Sequence, residues 1–243
     1  MQSYRTLTLH YPSLPSTNDL AKKLFEAGDI GHGTAIRADF QEKGRGQMGQ
    51  SWLGNPGENI YVSLVLEVQV PVERQFYLNM AVCLALRETL AAYLPDVKIK
   101  WPNDLYCQRQ KLAGILIENH LQGANIHSSI IGIGVNVNQT DFGPLTKAGS
   151  IATLLGHAID LKSFYQNLIS ALETRLSALN EEQEIWDSYH QSLLFFREVT
   201  TFEQEGRLFK AEVKGIDSWG RLVLESSAGT EYYGIKEIRW VDL

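Results

Sequence analysis

Cysteine is scarce in this chain: 243 residues contain two, Cys83 and Cys107. Two distant cysteines make neither a metal-ligand spacing nor a disulfide framework, so both read as reduced thiols of a cytoplasmic protein. Six histidines occur without an HxH or HExxH pairing, and no protein-built metal site is expected. Basic residues number 22 against 28 acidic ones, for a net charge of −6, and no basic run is present. Nucleic acid is therefore not expected as the principal partner. Long apolar runs are also missing. The longest, 76–86, is interrupted by Asn79 and closed by Arg87 and Glu88, well short of the roughly 20 residues that span a bilayer. The N-terminus carries Gln2, Ser3 and Arg5 with no apolar signal core, so neither membrane insertion nor export is expected. There is no internal repeat and no low-complexity segment.

What remains is a chain 44% hydrophobic, enough for one large core or a core with a small appendage. Residues 4–10 alternate like a strand. Ser16-Thr17-Asn18-Asp19 reads as a helix start, with Leu20, Leu24 and Phe25 on one face and Gly28 as the stop. Strands are expected over 34–41, 60–68, 97–101, 111–118 and 126–137, the last two joined as a hairpin through Leu121–Asn125. Pro71 stands near the start of a helix running to Leu94, apolar almost all round and therefore expected to be central and buried. Leu161, Phe164, Leu168, Leu172, Leu176 and Leu179 form one helical stripe, and Ile185, Trp186 and Tyr189 mark a second short helix. Beyond Arg197 short strands alternate with Gly-containing turns at Glu205-Gly206, Trp219-Gly220 and Ala228-Gly229, which suggests a small β-barrel. The expected class is α+β: a body over 1–196 followed by a β module over 197–243.

Gly44-Arg45-Gly46-Gln47-Met48-Gly49 matches GxGxxG, and a strand precedes it. The residues that follow include Gly54, Pro56 and Gly57 and cannot open a helix, so no helix terminus would hold a dinucleotide's pyrophosphate. The segment reads instead as a mobile loop bearing Lys43 and Arg45, whose glycines let backbone approach a ligand closely; an ordinary exposed loop carries equal weight on these residues alone. A second constellation starts at Lys100-Trp101-Pro102-Asn103-Asp104, where proline ends a strand and leaves an amide and a carboxylate at its tip. Turn chemistry alone would also account for Asn103 and Asp104. Lys111 then stands at the mouth of an apolar strand beside Ala113 and Gly114. Gly132 and Gly134 lie inside a third strand, where glycine is costly unless something packs on the backbone. Together these pieces outline a pocket at strand ends, with glycine walls, two cations (Arg45 and Lys111) and polar groups at Ser16, Thr17, Asn18 and Gln41.

In order, Ser16-Thr17-Asn18, Gln41 with Gly44-Arg45-Gly46, Trp52, Lys100-Trp101-Pro102-Asn103-Asp104, Lys111-Leu112-Ala113-Gly114-Ile115-Leu116-Ile117-Glu118 and Gly132-Ile133-Gly134-Val135-Asn136 resemble biotin protein ligase. The likeness spans about 16–138. It implies a mixed-sheet α+β catalytic domain followed by a small SH3-like barrel. It also implies an ATP-dependent enzyme that forms biotinyl-5'-AMP and passes biotin to a lysine of a biotin carboxyl carrier domain. Some members carry an N-terminal winged-helix domain; with motifs starting at Ser16, a ligase without that domain is expected. Gln47, Met48 and Gln50 stand where many members have arginines, and 237–240 matches the family's end only loosely.

The implied chemistry joins two anions, the biotin carboxylate and the α-phosphate of ATP, so the site must neutralise charge. Arg45, a planar fork, and Lys111, a compact charge, are the candidates, with Mg2+ bridging phosphate oxygens. Biotin is expected at Ser16, Thr17, Asn18, Gln41, Gly44, Arg45, Gly46, Gln47, Lys111, Gly114 and Gly132, whose polar members supply donors and acceptors for its urea end. The nucleotide is expected at Arg45, Trp52, Asn103, Asp104, Lys111, Gly134 and Asn136, and Asp104 is the candidate to orient the acceptor amine. A lipoate or octanoate ligase or transferase is the alternative, although neither cysteine sits in an activating motif. A non-catalytic biotin or nucleotide binder would bind without releasing AMP, and a DNA-binding regulator conflicts with the acidic balance. A homodimer is possible, with the strand over 126–137 as its edge.

Overall fold

The structure, a computed structural model, describes residues 5–241. Its larger unit contains β1 (Leu7–Tyr11), α1 (Thr17–Glu26), β2 (Thr34–Ala38), β3 (Ile60–Pro71), α2 (Gln75–Ala91), β4 (Lys98–Lys100), β5 (Asp104–Cys107), β6 (Gln110–Gln122) and β7 (Asn125–Val135), followed by α3 (Ile151–Leu155), α4 (Leu161–Ser177) and α5 (Glu182–Ser192). The strands form one seven-stranded sheet in the order β1-β2-β3-β7-β6-β5-β4. β1 and β2 are parallel and bridged by the α1 crossover, while the other pairs are antiparallel. A second, five-stranded antiparallel sheet, β11-β10-β9-β8-β12, is built from β8 (Val199–Gln204), β9 (Arg207–Ile216), β10 (Leu222–Ser226), β11 (Gly229–Tyr233) and β12 (Arg239–Trp240).

Local chemistry explains the boundaries. Ser16 caps α1 by accepting from the Asp19 amide, and Gly28 follows the helix at φ 77°, a left-handed conformation that glycine adopts freely. The β6–β7 hairpin turns on Gly123-Ala124, with Gly123 at φ 63°. α2 has little amphipathic character because it is surrounded: Leu78, Met80, Val82, Leu84, Leu86 and Leu90 are all buried, with α4 and α5 packed beside it. Sheet pleating separates two apolar clusters. Ile60, Val62, Leu64, Ile131 and Ile133 face the main core with α2, whereas Ile36, Val65 and Ile130 face Ala21 of α1.

Three features depart from the sequence reading. β5 forms a strand where only a polar tip at Asn103 and Asp104 is expected, because four residues opening on Asp104 give too little alternation to mark it. α3 went unread; it is five residues long, held by a Ser150–Thr153 capping box and ended by left-handed Gly156. The strand expected as a dimerising edge over 126–137 lies inside the sheet, hydrogen-bonded to β3 on one side and β6 on the other. The apolar residues over 130–135 reflect burial on both faces rather than a free edge. Among the described residues no helix is long and apolar enough to cross a membrane.

The C-terminal sheet docks through polar contacts set in apolar packing. Trp101 Nε1 donates to the Gly220 carbonyl at 2.8 Å, and His190 Nε2 accepts from the Ile216 amide at 3.1 Å. This places the turn before β12 close to the glycine loop, where Lys236 Nζ lies 3.5 Å from the Met48 carbonyl.

Candidate active site

The α1 face of the sheet would be filled by side chains if three positions were not glycine. Gly114 in β6 is paired in register with Gly134 in β7, and Gly132 is paired with Ser63 in β3. A Cβ at Gly132 would collide with the Asn18 side chain; at Gly134 and Gly114 it would lie 2.7 and 2.8 Å from the Trp52 ring. Each strand glycine costs roughly 0.5–1 kcal/mol, and here all three clear one floor.

The end of this floor under α1 is polar and buried. Ser63 Oγ lies 2.7 Å from Thr17 Oγ1 and donates to Asn18 Oδ1 at 2.5 Å, and Asn18 Nδ2 donates to Glu118 Oε2 at 2.7 Å. Gln41 Oε1 accepts from the Thr17 amide and hydroxyl at 2.8 and 3.0 Å. These bonds fix the orientation of Thr17, Asn18 and Gln41 before any ligand arrives.

At the other end stand the cations. Lys111 Nζ pairs with Asp104 Oδ1 at 2.7 Å and lies 5.4 Å from the centre of the Trp52 ring. Arg45 reaches the same cleft from the glycine loop, held by Asp19 at 2.7 Å and Glu118 at 2.9 Å. Both of Arg45's pairs are substantially exposed, and such pairs are worth about 0–1 kcal/mol each, so an anionic ligand can displace them cheaply. The loop folds back on itself through Trp52 N to Gly44 O (2.8 Å) and Gly46 N to Gln50 O (2.6 Å). Only a three-residue helical turn, Gln47–Gly49, follows the glycines, so the dinucleotide geometry is absent at this loop.

One cleft is thus lined by Ser16, Thr17, Asn18, Gln41, Arg45, Gly46, Gln47, Trp52, Asn103, Asp104, Lys111, Gly114, Gly132 and Gly134. Two expected residues fall outside it. Gly44 lines the neighbouring cavity under the glycine loop, and Asn136 lines an adjoining cavity of about 420 Å3 that also borders Trp52, Tyr106 and Lys111. Asn103 faces the cleft, but its amide nitrogen is committed to the Ile115 carbonyl at 2.6 Å and pins the turn. The central cleft itself measures about 50 Å3, far below the roughly 300 Å3 of ordinary small-molecule sites. Trp52, lying over the glycine floor with its buried indole N–H unpartnered, is what narrows it.

Sequence reasoning missed Ser63, Asp19, Glu118, Tyr106, Lys100 and Lys147. Ser63 was findable, being the one small polar residue in the apolar run of β3. Glu118 and Asp19 show their role only once α1 and β6 meet. Lys100 is partly buried over the Tyr106 ring at 5.4 Å. Burial above all, then the neighbouring charges of Lys111 and Lys147, hold its ammonium below the usual lysine range, with Asp104 opposing them. Both cysteines are buried, and burial pushes each thiol up, so neither resembles an activated nucleophile.

The site thus combines a mixed sheet with a glycine-cleared face, a cationic loop above it and a lysine beside it. Residues 11–136 match the Biotin/lipoate A/B protein ligase family. The bifunctional ligase/repressor BirA of Bacillus subtilis is 30% identical over 97% of this chain and 73% of its own length. The biotin–[acetyl-CoA-carboxylase] ligase of Paracoccus denitrificans is 30% identical over 92% of this chain and 96% of its own. The fold is that of the Aquifex aeolicus biotin protein ligase in complex with biotin and ATP, at TM-score 0.80 and 24% identity, covering 98% of this chain and 100% of that one. The chain belongs to the biotin/lipoate A/B protein ligase family, among its biotin protein ligases.

Proposed function

We propose that this chain uses ATP to convert biotin to biotinyl-5'-AMP and then transfers biotin to the ε-amino group of a lysine on the carrier domain of a biotin-dependent carboxylase. The observation that carries this reading is the meeting of Arg45 and Lys111, from separate segments, in one cleft whose other end is a preorganised set of donors and acceptors. Biotin's urea needs both kinds of partner, and Thr17, Asn18 and Gln41 offer them. Its carboxylate then points toward the cations. Attack of a carboxylate oxygen on the α-phosphorus releases pyrophosphate, and two fixed positive charges offset the repulsion between the anions.

Asn136 supports the nucleotide half. It is buried, its Oδ1 has no hydrogen-bond partner, and it borders the 420 Å3 cavity beside Lys111. An adenine amino group would satisfy that oxygen, whereas guanine would set a carbonyl there. Among the described residues no group of three or more His, Cys, Asp or Glu could hold a metal, and Asp104 is engaged by Lys111. Magnesium would enter with the phosphate oxygens of ATP, where it would supply neutralising charge. In the second step the acceptor amine attacks the acyl carbon and AMP leaves. Asp104 fixes Lys111 and is our candidate to orient that amine.

Incubation with magnesium, biotin and ATP is expected to yield protein-bound biotinyl-adenylate by mass spectrometry and stoichiometric pyrophosphate, with GTP at least about 100-fold poorer, the scale on which a buried unpaired polar group discriminates. Lipoate or octanoate driving pyrophosphate release in place of biotin would reject the reading. Because Trp52 occupies the cleft, ligand entry must move it. Biotin plus ATP should change the intrinsic tryptophan emission, and Trp52→Phe should remove that change; an equal change in the variant would show that the indole stays in place.

A further inference from the structure

Glu118, on β6, does not line the central cleft, yet it holds two groups that do. Its Oε2 accepts from Asn18 Nδ2 at 2.7 Å and from Arg45 Nη2 at 2.9 Å, and its Oε1 accepts from Arg45 Nη2 at 3.1 Å. One carboxylate thus joins the buried polar end of the cleft to the glycine loop. Asn18 is buried, and the two ends of its amide have nearly the same shape, so the surroundings decide which end faces where. Ser63 does not decide it, because a hydroxyl can donate to the oxygen or accept from the nitrogen. Glu118 does, because an ionised carboxylate only accepts. The Leu116 carbonyl, 3.4 Å from Asn18 Nδ2, adds a weaker pull in the same sense. With the nitrogen drawn to Glu118, Oδ1 is the Asn18 atom closest to the floor at Gly132: a Cβ built on that glycine would meet Oδ1 before Nδ2.

We propose that Glu118 is a positioning residue for biotin, which keeps Asn18 Oδ1 over the cleft floor to accept a urea N–H and releases Arg45 when the phosphate arrives. The inference rests on the biotin reading above. Glu118 itself stays behind Asn18 and touches no substrate. While Arg45 is clasped, its guanidinium shares the Oε2 to which Asn18 donates. When the acyl-phosphate linkage draws Arg45 away, that oxygen is left to Asn18, and the charge-assisted bond between them strengthens. A more polarised amide makes Oδ1 a better acceptor. Biotin is therefore gripped most firmly at the stage when its carboxylate is being activated, and the residue that arranges this contacts neither reactant.

Glu118→Gln in the full-length chain keeps the shape and removes the charge. A glutamine can turn either end of its amide to Asn18, so the orientation is no longer enforced. The Glu118 side chain is 32% exposed, so folding should survive, with the melting temperature as the check. Calorimetric binding of biotin should weaken by at least about tenfold, the scale of a charge-assisted hydrogen bond. AMP, which carries a phosphate and no urea, should bind within about twofold of wild type or more tightly, because Arg45 has lost a competitor of small worth. In an Asn18→Ala background the same Glu118→Gln change should alter biotin affinity by less than about twofold, since the group through which the carboxylate acts is gone. Equal biotin affinity in wild type and Glu118→Gln, a matching loss for AMP, or an equal loss in the Asn18→Ala background would overturn the positioning role and leave the biotin reading standing. Wild-type protein that binds no biotin would overturn that reading, and the inference with it.

Discussion

Lys111→Ala is expected to lower the rate of biotin adenylation by about 10²–10³-fold, the effect of deleting one preorganised charge that faces developing transition-state charge. Lys111 is anchored by Asp104 and backed by Trp52, so its ammonium is fixed before substrates bind. Removal also leaves Asp104, a largely buried carboxylate, facing the phosphate with its charge uncompensated, which adds repulsion to the lost attraction. Lys111→Arg should recover little, because a planar fork cannot reproduce the single close contact that the compact ammonium makes with Asp104. Pyrophosphate release under single-turnover conditions is the measurement, with the circular dichroism spectrum confirming the fold. A rate within tenfold of wild type would remove Lys111 from the chemistry.

Gly132→Val is the second large effect. Its Cβ would be driven into Asn18, which is held on three sides by Ser63, Glu118 and the start of α1. The side chain cannot swing away without breaking its hydrogen bonds to the Ser63 hydroxyl and Glu118, each worth about 0.5–1.5 kcal/mol. Apparent biotin affinity should fall by at least about 100-fold, with Tm lowered by roughly 2–4 °C per kcal/mol in a domain of this size. Calorimetric titration with biotin separates the two consequences: a variant that melts early yet binds biotin as tightly as wild type would show that this glycine serves packing alone.

How far the site could be read in advance follows from the range of the interactions involved. The glycines on β6 and β7 were visible because they fall within largely apolar stretches, and Lys111 because it stands at the mouth of an apolar strand. That all three glycines share one face needs the register of β3, β6 and β7, which local pattern leaves open. Arg45 was legible as a loop cation, but its clasp by Asp19 and Glu118 joins residues 26 and 73 positions away, and that long-range pairing has no local signature. α2 was legible as a buried helix because its composition alone requires burial. The edge assigned to 126–137 failed for a related reason: an apolar strand looks the same whether one neighbour or two covers its hydrogen bonds. Lys147 sits in an irregular segment where nothing periodic marks it, and only the docking of the C-terminal sheet brings it into one cavity with Lys236.

A structure of the protein with biotinyl-adenylate bound bears most directly on the convergence of charge at the centre of the site. Lys111 Nζ and an Arg45 guanidinium nitrogen should each lie about 2.7–3.2 Å from oxygens of the acyl-phosphate linkage, with Arg45 released from Asp19 or Glu118. A bound adenylate whose phosphate is touched by neither side chain, with Arg45 still clasped by both carboxylates, would contradict it.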